Sequence, residues 1–201
     1  VLELARVFAA GPRPERSLLF MALTAEEKGL QGASYFAANP LVPLEKTAAV
    51  INVEMLSPDG PNHDIASWGN GRVSLAKDLK RVAEARGRRY SPDPNLEAGF
   101  FYRADHFAFA RAGVPAITVG AGLDNVEGGV ERGKALREAY FTNCYHQPCD
   151  DASQPIQYED AARMAALNAR VGTLVGDAAD RPRWNKGDFF GHKFAPAPAS
   201  P

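Results

Sequence analysis

Leu18-Leu19-Phe20-Met21-Ala22-Leu23-Thr24-Ala25-Glu26-Glu27-Lys28-Gly29 is an apolar run that ends on two adjacent carboxylates and a glycine. From Arg16 to Thr24 the run is nearly continuous, the pattern of a central strand covered on both faces. Carboxylates resist leaving water unless they are paired or bound to a cation. Glu26 and Glu27 therefore point to a metal site with a general base beside it. The alternative is an acidic first turn on the next helix, where the helix dipole favours negative charge. These residues alone leave both readings open.

Working outward, Val1–Ala10 has helical spacing and stops at Gly11-Pro12, and Gly29–Ala38 reads as a helix stopped by Asn39-Pro40. Lys46–Leu56 reads as a second buried strand, with 57–71 as a loop rich in Pro, Asp, Asn and Gly. Arg72–Arg86 is a helix with a basic face, and 90–102 looks irregular. A short helix at Ala104–Ala112 leads to a third strand at Val114–Val119. Residues 120–155 read as a long glycine-bearing loop, of the kind that is more often functional than idle. Tyr158–Val175 is a long Ala-rich helix. Strands alternating with helices argue an α/β sandwich around a largely parallel sheet. The domain is expected to span 1–180, with 181–201 as a loosely held C-terminal tail. Ligands of such sheets gather at the carboxyl ends of the strands. Glu26-Glu27 follows the first strand and Glu54 ends the second, while Asp105-His106 and His146 fall in loop or helix-start positions.

At 201 residues the chain is one sizeable domain or most of one. Its net charge of −1 gives no electrostatic case for a nucleic-acid or membrane-surface partner. Lys77, Lys80, Arg81, Arg86, Arg88 and Arg89 interleave with apolar residues and read as a solvated helix face. No apolar run approaches the ~20 residues that span a bilayer. The chain starts at Val1, inside a helix, and is expected to be a fragment or processed form. Cys144 and Cys149 could ligate metal, remain free thiols or close a small disulfide loop. A disulfide would imply an oxidising compartment, hence a periplasmic or secreted location.

Zinc prefers His nitrogen and Asp or Glu oxygen, with one position left for water. Glu26, Glu27, Glu54, Asp105, His106, His146, Asp150 and Asp151 supply such groups, although no His-Glu-x-x-His motif is present. Four segments carry a resemblance. Glu26-Glu27-Lys28-Gly29-Leu30-Gln31-Gly32-Ala33 resembles the Glu-Glu-Gly-Leu-x-Gly-Ser segment of the M28 family of zinc peptidases. Asn52-Val53-Glu54-Met55 resembles its Asn-x-Asp-Met strand end. Ala104-Asp105-His106-Phe107-Ala108-Phe109, running to Gly113-Val114-Pro115, resembles its Ser-Asp-His-x-x-Phe segment. Tyr145-His146-Gln147-Pro148-Cys149-Asp150 resembles its Tyr-His-Thr/Gln-Pro-x-Asp segment. The four stand in family order across roughly residues 1–175.

The resemblance implies a three-layer α/β/α sandwich with a mixed, mostly parallel sheet, its N-terminal strands missing from this chain. It implies two zinc ions in a complete site and none or one here. Glu26 would be the general base, Glu27 and His146 would ligate one zinc, and Glu54 the other. Tyr145 would stabilise the oxyanion, and Asp105 and His106 would shape the pocket. Two departures stand out. The family's earlier ligands, a His and a bridging Asp, have no counterpart in residues 1–25, so the fragment alone is expected to be inactive. Glu54 stands where the family usually has Asp.

The implied activity is zinc-dependent hydrolysis of peptides, most simply as an aminopeptidase. The alternatives are a glutaminyl cyclase-like acyl transfer and a non-catalytic interaction domain that kept the fold. Self-association is expected if a sheet edge is exposed. The bland readings run alongside: a turn histidine at His146, a packed tyrosine at Tyr145, a strand-end ion pair at Glu54 and a helix cap at Asp105. His63 and His192 read as solvent-exposed, and Trp68 and Trp184 as packing residues. Phe100, Phe101, Tyr102, Phe107 and Phe109 could line a side-chain pocket or fill the core.

Overall fold

The structure, a computed structural model, describes residues 1–55 and 60–194. Leu56, the first part of the 57–71 loop and the tail 195–201 lie outside the described residues. In chain order the elements are α1 (Leu2–Ala10), α2 (Gln31–Ala38), β1 (Val50–Asn52), β2 (Asp64–Ser67), α3 (Leu75–Glu84) and β3 (Arg89–Tyr90). There follow α4 (His106–Arg111), β4 (Ala116–Ala121), α5 (Gly129–Asn143), α6 (Tyr158–Asp177) and α7 (Phe189–Lys193).

The strands form one mixed sheet in the order β1-β4-β2-β3. β1 runs parallel to β4, with Val50 opposite Ala116 and Asn52 opposite Thr118. β3 runs parallel to β2, and β2 runs antiparallel to β4. Alternation along β4 builds the three layers, because successive side chains point to opposite faces. Ile117 and Val119 join Leu75, Leu79 and Val82 of α3 and Leu167 and Val171 of α6 on one face. On the other face Ala116 packs with Phe101, Ala110 of α4 and Phe190. Val50 of β1 extends that layer to Phe109 of α4 and Ala33 of α2. The sequence pattern of an α/β sandwich is thus realised as α3 and α6, sheet, then α4 and α2.

Several expectations are corrected. Arg16–Thr24 is not a strand, because none of its backbone groups enters a ladder among the described residues. Its apolar residues serve one-sided packing: Met21 and Leu23 rest on the Phe109 cluster, whereas Leu19 is 55% exposed. The segment is pinned at its start, where Arg16 N–H donates to Gly176 O and its guanidinium to Val175 O. Secondly, the 57–71 loop contains β2, every residue of which is buried. Its polar residues are satisfied internally: Asp64 accepts from the Asp124 N–H, and Ser67 bonds the Tyr90 hydroxyl. Thirdly, residues 120–155 hold a fifteen-residue helix, α5. Only Gly133 of α5 is buried, so the helix lacks the apolar stripe by which helices are read from sequence.

The segment after Asp180 was expected to be loosely held, but residues 181–194 are anchored. Asp188 pairs with Arg72 at 2.7 Å, the Trp184 indole N–H donates to Gly113 O, and Phe190 is buried. The basic cluster expected on one helix face also divides, since α3 ends at Glu84 before Arg88. Arg81 is exposed beside Asp78, whereas Arg88 turns inward to Asp160, whose side chain is fully buried.

Candidate active site

Glu26 and Glu27 lie on a single 3-10 turn, Glu26–Lys28, between Ala25 and Gly29, both in the left-handed conformation. Leu30 N–H and Gly29 N–H both donate to Glu26 O, so the turn is closed on itself. Gly32 fixes where this turn sits. Its N–H donates to Thr24 O, and a Cβ at this position would lie 2.6 Å from the Thr24 backbone. Only glycine allows α2 to approach the end of the extended segment that closely. The Glu-Glu-Lys-Gly-Leu-Gln-Gly spacing is therefore a geometric requirement. Glu26 ends half-buried and Glu27 exposed. Burial, then Glu27 and Asp105, push the Glu26 carboxyl above its ordinary range, while His146 and Arg103 act against them.

Glu54 follows β1 by two residues, with Met55 behind it at φ 51. A non-glycine residue in that region must be held there by its surroundings. Asn52, the last residue of β1, donates to Glu54 Oε2 at 2.9 Å. Burial pushes the Glu54 carboxyl up to about 7; the Asn52 bond opposes this, and Glu26, Asp105 and Glu27 add to it. Glu54 thus faces the other carboxylates, and its side-chain partner is Asn52, where the sequence had offered Lys or Arg.

Asp105 opens α4 but makes no capping hydrogen bond, so the capping reading does not hold. Its Oδ1 is buried without a hydrogen-bond partner among the described residues, and burial raises its carboxyl. His106 is fully buried: Nδ1 meets Thr118 Oγ1 at 2.8 Å, and its ring stands edge-on to Phe101 at 4.9 Å. Burial pushes the imidazole down to about 3, so it is neutral.

Tyr145 and His146 follow α5. Their rings stack at 3.8 Å, and the Tyr145 ring rests against Phe141 at 4.7 Å. His146 takes φ 58, and its Nε2 lies 3.1 Å from Glu27 Oε1. Burial raises the Tyr145 hydroxyl; Arg103 opposes this, and Glu27, Glu26 and Glu54 add to it. The structure therefore brings Glu26, Glu27, Glu54, Tyr145 and His146 into one electrostatic neighbourhood, with Asp105 at its back. Arg103 belongs to it as well and was not singled out from sequence. It stacks on Phe100 at 5.1 Å and acts on both Glu26 and Tyr145. Its only sequence signal is its place two residues before Asp105. Cys144 and Cys149 are joined in a disulfide.

Beside the acidic group lies a cleft lined by Glu54, Trp68, Phe100, Tyr140, Phe141 and Arg137. Trp68 and Phe100 thus line a pocket, whereas Phe101 and Phe109 are core. The exposed His63 and His192 stand outside this group.

Two zinc donors at 2.0–2.2 Å in a tetrahedral site lie about 3.3–3.5 Å apart. The imidazole and carboxylate of His146 and Glu27 match two corners of such a site in donor type, and at 3.1 Å they stand at hydrogen-bond distance, slightly closer than two ligands of one zinc. Among the described residues, no three His, Cys, Asp or Glu side chains converge as a metal-holding group.

The sequence model of peptidase family M28 matches residues 1–172. An aminopeptidase from Aneurinibacillus sp. strain AM-1 superposes with a TM-score of 0.60 at 22% identity, covering 90% of this chain and 38% of its own. The LapA aminopeptidase of Legionella pneumophila superposes with a TM-score of 0.64 at 15% identity, covering 89% of this chain and 44% of its own. The chain thus spans less than half the length of either structure, and at these identities the likeness shows the fold.

Proposed function

Because this chain belongs to peptidase family M28, we propose that it carries the catalytic base and part of the metal site of a zinc-dependent aminopeptidase. The observation that carries this reading is the meeting of Glu27 and His146 at 3.1 Å beside Glu26, from segments far apart in sequence.

Zinc would be held by Glu27 and His146, with Glu54 as donor to a second zinc, and would supply the Lewis acidity that polarises the scissile carbonyl. Glu26 takes a proton from the attacking water and hands it to the leaving amine. A carboxyl raised above its ordinary range is suited to both transfers near neutral pH. The Tyr145 hydroxyl stays protonated, since burial raises it, and donates to the oxygen on which charge develops. The apolar cleft lined by Trp68, Phe100 and Phe141 takes a side chain of the peptide. The Cys144–Cys149 disulfide suits a periplasmic or secreted protein.

Glu26→Gln tests the assignment in the whole protein. Hydrolysis of an aminoacyl anilide should fall by at least about 100-fold with zinc content unchanged. Retained turnover would sink the role of Glu26.

A second reading is a non-catalytic domain with the same fold. It draws on the lack of a three-donor group among the described residues and on Glu54 in place of Asp. Zinc content per chain, by elemental analysis of the whole protein under metal-replete conditions, separates the two. None bound favours this second reading.

A further inference from the structure

His146 is an unusual residue to find in place. It is not glycine, yet it sits at φ 58, a region such residues adopt only when the surrounding structure holds them there. Its side chain is 45% exposed, with the Tyr145 ring stacked on it and Glu27 beside it. Packing around the imidazole is therefore too sparse to impose the conformation.

The constraint lies in the backbone on either side. α5 ends with the N–H groups of Cys144 and Tyr145 both donating to Tyr140 O. The chain then turns twice, Gln147 N–H to Cys144 O and Asp150 N–H to Gln147 O. The disulfide closes this loop from Cys144 to Cys149, with Cα atoms 5.4 Å apart, and His146 lies inside it. Two further bonds tie the far side down. The Tyr140 hydroxyl donates to Asp150 Oδ2 at 2.8 Å, and Gln154 Nε2 donates to Cys149 O at 2.7 Å. Tyr140 thus grips the loop at both ends, by its carbonyl at the start and its hydroxyl at the finish.

We propose that the Cys144–Cys149 disulfide and the Tyr140–Asp150 hydrogen bond form a positioning clamp that holds His146 in the left-handed conformation and sets its imidazole against Glu27. Cys144, Cys149, Tyr140 and Asp150 are positioning residues, and none touches the reacting atoms. What the clamp is for rests on the hydrolytic reading above; that it holds His146 does not.

The clamp can be opened chemically, since Cys149 is exposed. A trialkylphosphine supplies two electrons that break the sulfur–sulfur bond. Water supplies the oxygen of the phosphine oxide and the protons of the two thiols. Capping both thiols with iodoacetamide then prevents them from reclosing or binding metal. Three forms of the full chain are compared: disulfide-closed, opened and capped, and Tyr140→Phe. The last keeps the ring and the disulfide and loses only the bond to Asp150, so it stands in if the opened form fails to fold.

The first readout needs no metal. In the closed form, Glu27→Gln should shift the His146 ring-proton resonance at fixed pH. That response should fall by more than half in the opened form, and partly in Tyr140→Phe. The second readout is zinc titration of the same forms. Loss of a ligand-orienting contact weakens metal binding by about 10–100-fold, and the opened form should show a weakening of that size. An undiminished His146 response in both the opened form and Tyr140→Phe overturns the clamp. A clamp-dependent response in a protein that binds no zinc in any form supports the clamp and counts against the metal site. Zinc binding abolished by Glu27→Ala but changed less than twofold by opening overturns the clamp and supports the site.

Discussion

Glu54 and His106 bind protons in opposite senses on folding. Burial, reinforced by neighbouring carboxylates, raises Glu54 from 4.5 to about 7, and burial lowers His106 from 6.5 to about 3. Between pH 4.5 and 7, folded Glu54 keeps a proton that the unfolded chain has released. Its contribution is complete below 4.5 and is lost as pH rises through 7. Between pH 6.5 and 3, unfolded His106 takes up a proton that the folded state refuses. Its contribution is complete above 6.5 and is lost as pH falls. Across pH 4.5–6.5 the two slopes oppose each other. Glu54→Gln removes the first and leaves the second, so stability of the metal-free protein should rise with pH across that window more steeply than in the parent. Urea denaturation at a series of pH values measures this, and identical slopes would contradict the burial of Glu54. At this scale the sequence was informative about which residues could carry chemistry, and silent on which of them meet. Glu26, Glu27, Glu54 and His146 stood out as donor types, and Tyr145 through the family resemblance of its segment. The role of Arg103 was not legible, because its effect on Glu26 and Tyr145 depends on where the start of α4 is packed.

Elements were legible where their side chains carry a period. α1, α2, α3 and α6 fall close to their expected spans, since each has apolar residues at helical spacing. α5 does not, because it packs through Gly133 with a mostly exposed surface. The extended segment Arg16–Thr24 misled in the other direction: an apolar run shows that a segment is packed, and only a partner strand makes it part of a sheet. The join between that segment and α2 depends on Gly32. In Gly32→Ala the new methyl group meets the Thr24 backbone, which cannot swing aside as a side chain would. The variant should lose about 1–3 kcal/mol of stability, as overpacking does. Because the Glu26–Lys28 turn moves with α2, kcat should also fall under conditions where the protein remains folded. Denaturation and steady-state kinetics on one preparation test both, and an unchanged stability would show that the approach to Thr24 is looser than described.

Across the whole molecule, α6 is tied to the far end of the sheet by the buried pair of Arg88 and Asp160. Arg88 also donates to Asn62 O at 2.8 Å, so one guanidinium joins α6 to the chain entering β2. Removing one member of a buried pair strands the other charge and costs about 3–5 kcal/mol. Asp160→Ala should show a loss of that size in urea denaturation; a loss below about 1 kcal/mol would mean that water reaches Arg88. The closing segment works similarly at the other side of the molecule. Arg72 is bonded to Asp188 and Tyr102 and sits against the rings of Phe101 and Phe190. It thereby joins the end of the chain to the layer that carries α4. Composition suggested a loose tail because the chain there turns polar and then Pro/Ala-rich, yet within 181–194 Phe190 is buried and Trp184 packs against the core.

By itself the sequence determined the α/β class and the order of most helices, and it offered the acidic and histidine groups as candidates. These follow from local periodicity and from residue chemistry, both of which are written in neighbouring positions, while Tyr145 was offered by the resemblance of its segment to a known family. Tertiary structure alone decided that Arg16–Thr24 stays outside the sheet, that β2 runs antiparallel to β4, and that Arg88 points inward. It also decided that Glu27 and His146 meet, although 118 positions separate their numbers. Such outcomes depend on which distant surfaces exclude water together. That property belongs to the packed chain, and no window of its sequence contains it.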